Sequence, residues 1–68
     1  MHLSAGELKI GKMYLTGGKG KVVLLEAVPE LHPLGVPTKG MEVWLVRRLE
    51  DGEELLEFTF NFLEEVNA

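Results

Sequence analysis

The clearest alternation of hydrophobic and polar residues lies in the second half of the chain, on both sides of an Asp-Gly pair. Residues 41–49 are rich in β-branched and aromatic types, and residues 54–60 alternate between apolar and polar side chains. Asp51-Gly52 between them is a strong signal for a two-residue turn of type I′. The pattern therefore predicts a β-hairpin centred on Asp51-Gly52.

That turn also predicts how the two strands pair: Glu50 opposite Glu53, Leu45 opposite Phe58, and Val43 opposite Phe60. A slip of one residue would set Leu45 against Glu57, so the alternation itself favours this register. One face of the hairpin then holds the residues that are predicted to form the core, which are Val43, Leu45, Leu56, Phe58 and Phe60.

The opposite face of the hairpin is apolar for an outer surface, and we interpret it as an interaction surface. Its candidate contact residues are Trp44, Val46, Arg48 and Leu55. Trp and Arg are residue types that are enriched at binding hot spots. Two interpretations stay open: either the tail 62–66 or the loop 29–40 folds over this face, or another molecule covers it. That molecule is a second copy of the chain, in a symmetric dimer, or another protein.

The first half of the chain predicts short strands that are joined by glycine turns. Alternation over residues 7–15 loses phase after Gly11, which predicts a bulge or a sharp bend. Three glycines within residues 17–20 predict a turn with positive φ angles. Residues 21–28 predict a second strand, apolar and rich in β-branched types. Residues 29–40 contain three prolines and two glycines, and they predict a loop.

The tail predicts a short helical turn after the fourth strand. Asn61 is a suitable N-cap, and Glu64 three residues later resembles a capping box. The alternative is that the fourth strand continues through Leu63. Together the segments predict one mainly β domain over residues 1–68, with four to five strands closed as a small barrel and a short C-terminal helical turn.

Four segments together resemble an SH3-like small β-barrel of the KOW or Tudor kind. They are Leu8-x-Ile10-Gly11, Gly18-Lys19-Gly20-Lys21-Val22-Val23, Glu42-Val43-Trp44-Leu45-Val46 and Asp51-Gly52-Glu53-Glu54. The resemblance covers most of the chain and implies a binding module rather than an enzyme, without transferring any site residue. The chain departs from such barrels in its longer loop 29–40, and the aromatic cage of Tudor-type readers is not evident.

Composition limits how such a domain is stabilised and where it works. With 68 residues and no cysteine, the chain has a small core and no disulfides, which favours oligomerisation. Abundant Glu with no Gln is typical of heat-adapted proteins. No run approaches the roughly 18 apolar residues of a membrane span, and residues 1–7 lack the features of a signal peptide. We therefore expect a cytoplasmic protein without a membrane partner.

The chemistry-bearing residues favour a protein that is not an enzyme. Cysteine is absent, and Ser4 is not accompanied by a nearby base that would activate a nucleophile. The acidic residues cluster at the hairpin tip, where a solvated surface is the simpler interpretation. Glu30 and His32, with His2, form a weak metal pattern in a proline-rich loop. We expect no metal and no cofactor.

Charge is unevenly distributed and supplies the alternative function. Residues 1–48 hold all seven Lys and Arg with four acids, a net of +3, whereas residues 49–68 hold seven acids and no base. The two halves either pair their charges across strands or leave one basic face. The candidate polyanion contacts are Lys9, Lys12, Lys19 and Lys21. Weak RNA or DNA binding is thus the alternative, although the net charge of −4 disfavours it.

Overall fold

Five strands form where the sequence is richest in apolar and β-branched residues. The computed structural model describes residues 3–31 and 40–66. Its strands are β1 (Met13–Thr16), β2 (Gly20–Ala27), β3 (Val43–Arg48), β4 (Glu54–Phe58) and β5 (Phe62–Val66). In the described residues the other regular elements are short 3-10 turns at Ala5–Glu7, Pro29–Leu31 and Thr59–Asn61. The expectation of a mainly β fold is confirmed.

All five strands belong to one antiparallel sheet, in the order β4-β3-β2-β1-β5. The first four strands form a meander, because each pairs with the next in sequence. The last strand returns to the far edge and pairs with β1, bringing Val66 opposite Met13. Register shifts in β2, between Leu24 and Glu26, and in β1 bend the sheet. This arrangement is compatible with a small barrel-like fold.

The tail is a strand, so the prediction of a helical turn beginning at Asn61 is wrong. A 3-10 turn at Thr59–Asn61 comes first, and Phe62–Val66 then pairs with β1. Phe62 is fully buried, with its ring edge-to-face on Tyr14 at a centroid distance of 5.6 Å. Burial of that ring and the pairing with β1 outweigh the local capping signal, which is worth only about 1 kcal/mol.

The central hairpin is present, but its register differs from the prediction by two residues. Val43 lies opposite Phe58, and Leu45 lies opposite Leu56. The loop is therefore four residues long, 49–52, and Arg48 closes it by donating its backbone N–H to the Glu53 carbonyl at 2.8 Å. Gly52 adopts a φ of 75° and donates to the Arg48 carbonyl. One left-handed residue is enough for this loop, whereas type I′ requires two.

The hairpin buries the face opposite to the predicted one, although Val43 of the predicted core face is also buried. Val46 is fully buried in a core cluster whose other members are Leu8, Tyr14, Val22, Leu24 and Phe62. Trp44 and Leu55 pack against this cluster. The face that was interpreted as an interaction surface thus packs inside the fold, in the same cluster as Phe62 of the tail strand. Phe60 and Leu56 of the predicted core face are exposed instead.

The glycine-rich segments of the first half bend the chain as predicted. Gly11 has a φ of 86° and lies in a turn that precedes β1. Gly18 and Gly20, with φ angles of 104° and 72°, form the turn between β1 and β2. Only glycine adopts such angles without steric cost. In β2, Val22 and Leu24 are buried, and Val23 and Leu25 are half-buried.

Candidate interaction surface

An apolar groove opens on the outer face of the β3–β4 hairpin. It has a volume of about 260 Å³ and is lined by Leu31, Val43, Leu56, Glu57 and Phe58. We call these five residues the apolar groove. Sites that enclose a small molecule usually measure roughly 300–1,000 Å³. The groove is therefore better suited to one or two protruding side chains than to an enclosed cofactor.

Backbone hydrogen bonds hold the wall of the groove that lies outside the sheet. The 3-10 turn Pro29–Leu31 follows β2 directly, and the Leu31 N–H donates to the Val28 carbonyl at 3.1 Å. Val28 in turn donates to the Val43 carbonyl at 2.9 Å, which ties the turn to β3. Leu31 thus has a fixed position beside Val43, the buried floor of the groove.

Large apolar side chains remain exposed around this groove. The exposed fractions are 49% for Leu31, 47% for Leu56 and 40% for Phe60. The Phe60 ring stacks on Phe58, with centroids 5.4 Å apart and planes 10° from parallel. A contiguous apolar patch on a small protein is a mark of an interaction site, whereas single exposed apolar residues are common.

Glu57 lies beside the groove, and its buried carboxylate is held in place by an ion pair and by hydrogen bonds. Oε1 accepts hydrogen bonds from the backbone N–H of Phe58 at 3.0 Å and from Asn61 Nδ2 at 2.9 Å. Lys19 Nζ lies 3.1 Å from Oε2, as an ion pair without hydrogen-bond geometry. A buried carboxylate needs such partners, because desolvation of an unpaired charge is costly.

The same carboxylate blocks part of the edge of β4. Hydrogen bonds to β3 alternate along the strand, so the Phe58 N–H points away from β3, towards the open edge. Because Glu57 accepts a hydrogen bond from this N–H, an added strand could not pair there. The Glu57 carboxylate thus hinders strand addition at Phe58.

Exposed acidic side chains lie beside the groove, and they form no ion pair among the described residues. Glu26 lies opposite Leu45, which in turn lies opposite Leu56, and Glu30 immediately precedes Leu31. Both glutamates are exposed, and neither takes part in an ion pair among the described residues. The nearest basic residue along β3, Arg47, pairs with Glu54 at 3.1 Å. Within the described ranges, the charges beside the groove that lack an ion pair are thus acidic.

The four residues predicted to form an interaction surface lie elsewhere. Val46 is in the core, and Trp44 and Leu55 pack against it. Trp44 Nε1 donates to the Thr59 hydroxyl at 2.7 Å, so the polar end of the indole is satisfied internally. Arg48 is half-buried and pairs with Asp51 and Glu53 in the hairpin loop. The prediction that this face is the outer one is wrong, because Val46 is fully buried in a cluster that includes Phe62 of β5.

The four lysines predicted to contact a polyanion do not have equivalent environments. Lys9, Lys12 and Lys21 are exposed. Lys19 is half-buried and turned towards Glu57. Its charge is therefore compensated within the fold.

Two further expectations concern residues that the structure describes only in part. His2 and His32 lie outside the described ranges, and within 3–31 and 40–66 no cluster of three or more His, Asp or Glu side chains is arranged to hold a metal ion. In these same ranges no helix has the length and apolar character to cross a membrane.

Comparison with known proteins adds no relative: neither a protein-family model, nor a curated protein, nor a solved structure matches the chain.

Sequence reasoning missed the apolar groove because it assigned most of these residues to the core. Both faces of the hairpin are apolar, and Glu57 and Thr59 made the inner face look like the outer one. Phe62 is the residue that could have corrected the assignment of inner and outer faces. A large aromatic side chain on a paired tail strand is expected to be buried in the core. Leu31 carried no signal, because it lies in a proline-rich segment.

Proposed function

We propose that this chain is a protein-interaction module built on an SH3-like small barrel and that it binds its partner through the apolar groove. The observation that carries the proposal is the exposed apolar patch around Leu56, Leu31 and Phe60, on a domain whose other hairpin face is buried. The four-strand meander, with β5 returning beside β1, supports the SH3-like barrel as the scaffold.

The chemistry of the groove supports binding rather than catalysis. Among the described residues that line it, only Glu57 is ionisable. That carboxylate already contacts Lys19, Asn61 and the Phe58 amide, so it is engaged in holding the fold. A general acid or base must instead reach the substrate with an available lone pair or proton. The apolar lining supplies hydrophobic contact area, the main favourable term in association.

Selection of peptides from a random displayed library tests this proposal. Wild-type protein is the bait, and binding of each enriched peptide is then measured on two variants, Leu56→Gln and Leu63→Gln. Both leucines lie on strands and are similarly exposed, but only Leu56 lines the groove. We expect Leu56→Gln to weaken binding about tenfold or more, the scale of a hot spot, and Leu63→Gln to leave it unchanged.

Two results would contradict the proposal. One is a set of enriched peptides that bind Leu56→Gln as tightly as the wild type. The other is a selection that enriches no peptide for the wild-type protein. Thermal unfolding of both variants serves as the folding control, because each substitution changes an exposed side chain.

A further inference from the structure

The chain carries, on another part of its surface, a turn whose chemistry complements the groove. Ile10 is 60% exposed, the highest value among the large apolar side chains of the described residues. It lies in a tight turn between Lys9 and Lys12, in which the Lys12 N–H donates to the Lys9 carbonyl at 3.2 Å. We call residues 9–12 the basic turn. It presents one aliphatic side chain between two exposed ammonium groups.

The basic turn is held in place by the buried part of the fold. The Lys9 N–H donates to the Tyr14 hydroxyl at 2.8 Å, and Tyr14 is fully buried. Gly11 donates to the Leu24 carbonyl at 2.8 Å, and the Lys12 carbonyl accepts from the Leu24 N–H at 3.0 Å. A turn fixed at both ends loses little conformational entropy when it docks, so its exposed isoleucine is pre-organised for contact.

The charges of the turn and the groove are complementary. Lys9 and Lys12 form no ion pair among the described residues, and the same is true of Glu26 and Glu30 beside the groove. Two copies placed groove to groove would bring these acids together, which is unfavourable. A basic turn placed against the groove would pair opposite charges around an apolar contact, and such complementarity selects partners and their orientation.

We propose that the apolar groove of one copy receives the basic turn of a second copy, with Ile10 in the groove and Lys9 and Lys12 facing Glu26 and Glu30. This inference rests on the proposed function, because it names the partner of that same groove. The contact joins unlike surfaces, so each copy offers one groove and one turn. Contacts of this kind close into rings or extend into chains, whereas a symmetric contact uses one patch twice.

Complementation between two defective variants tests the inference. Ile10→Gln removes the apolar tip, and Leu56→Gln alters the groove. The oligomeric state is measured by light scattering and sedimentation velocity at low salt. Protein concentrations up to about 1 mM detect even weak specific association. We expect wild-type protein and the control Leu63→Gln to self-associate, and each of the two variants alone to be monomeric. An equimolar mixture of the two variants should form one-to-one dimers, through the one intact groove and the one intact turn.

Three outcomes would overturn this inference. They are wild-type protein that stays monomeric at about 1 mM, a mixture that stays monomeric although the wild type associates, and association that is unaffected by Ile10→Gln. None of these affects the peptide experiment, in which a partner other than this chain still requires Leu56. If no selected peptide binds the groove, in contrast, both proposals are contradicted.

Discussion

At the scale of single residues, Asp51 shows most directly how the hairpin loop is held. The Arg48 guanidinium donates Nε–H to Asp51 Oδ1 at 3.0 Å, and the Glu53 backbone N–H donates to the same oxygen at 3.1 Å. The hydrogen bond from Arg48, followed by that from Glu53, lowers the pKa of Asp51 from 3.8 to about 2. The charged form is therefore favoured by the folded loop.

This depressed pKa predicts the direction of a pH effect. Because the folded pKa lies below the unfolded one, the stabilisation from Asp51 is present above about pH 4 and is lost as the pH falls through about 2. The side-chain carboxyl resonance of Asp51 should titrate with a midpoint of about 2 in the wild type. In Arg48→Met the midpoint should rise. A wild-type midpoint near 3.8 would show that the ion pair does not form in solution.

Lys19 and Lys21 differ by two positions in sequence, yet they should respond very differently to the loss of charge. Lys19→Met leaves the buried Glu57 carboxylate without its cation. We expect a loss of about 1–2 kcal/mol in the free energy of unfolding, reduced from the scale of a buried pair because the lysine is partly exposed. Lys21→Met changes an exposed side chain and should stay within about 0.5 kcal/mol of the wild type. Urea unfolding of both variants measures the difference, and equal values would contradict the ion pair.

At the scale of elements, the hairpin shows what alternation could and could not determine. The strands, the turn region and the glycine were predictable, because composition and the Asp-Gly pair signal them locally. A one-residue slip was excluded by Glu57, but a two-residue slip keeps every side chain on its face. Leu45 opposite Leu56 is as apolar a pair as Leu45 opposite Phe58, so the hydrophobic pattern could not distinguish the two registers. The loop determines which register forms, because Asp51 binds Arg48 and Glu53 there.

The four-residue loop predicts the effect of adding one methyl group at Gly52. Gly52 has a φ of 75°, and a Cβ there would meet no atom within 4 Å. Gly52→Ala should therefore lower the free energy of unfolding through backbone strain alone, by about 1–2 kcal/mol. Gly6 is the matched control, because it too has open space but no left-handed angle. Gly6→Ala should not show this loss in thermal unfolding, and an equal effect of both substitutions would contradict the loop geometry.

At the scale of the whole molecule, the distribution of charge predicts weak interaction with polyanions. The net charge is −4, and Lys19, one of the four candidate contacts, is paired with Glu57. We expect wild-type protein to pass through a heparin column at about 50 mM salt, where phosphate-type contacts are strong. Retention that falls steeply with rising salt, and is lost in Lys9→Glu with Lys21→Glu, would favour the nucleic-acid alternative instead.

The arrangement of the whole sheet also explains why the candidate site could not be found from the sequence. Fold class follows from local patterns, since most strands coincide with apolar, β-branched runs. The inner face of the hairpin depends instead on β5, which pairs with β1 at the opposite edge of the sheet. Phe62 comes from a segment that looked helical, so its burial in the same cluster as Val46 is a long-range effect. Assigning the tail as a strand was the missing step.

The Leu56 face of the hairpin is outside and the Val46 face is inside. Methyl-labelled protein, kept dilute so that it is monomeric, can be titrated with a soluble paramagnetic probe that broadens signals of solvent-exposed methyl groups. Leu56 is 47% exposed and Val46 is fully buried. We expect strong broadening of the Leu56 methyl signals and none for those of Val46. Broadened Val46 signals with protected Leu56 signals would contradict this assignment of the two faces.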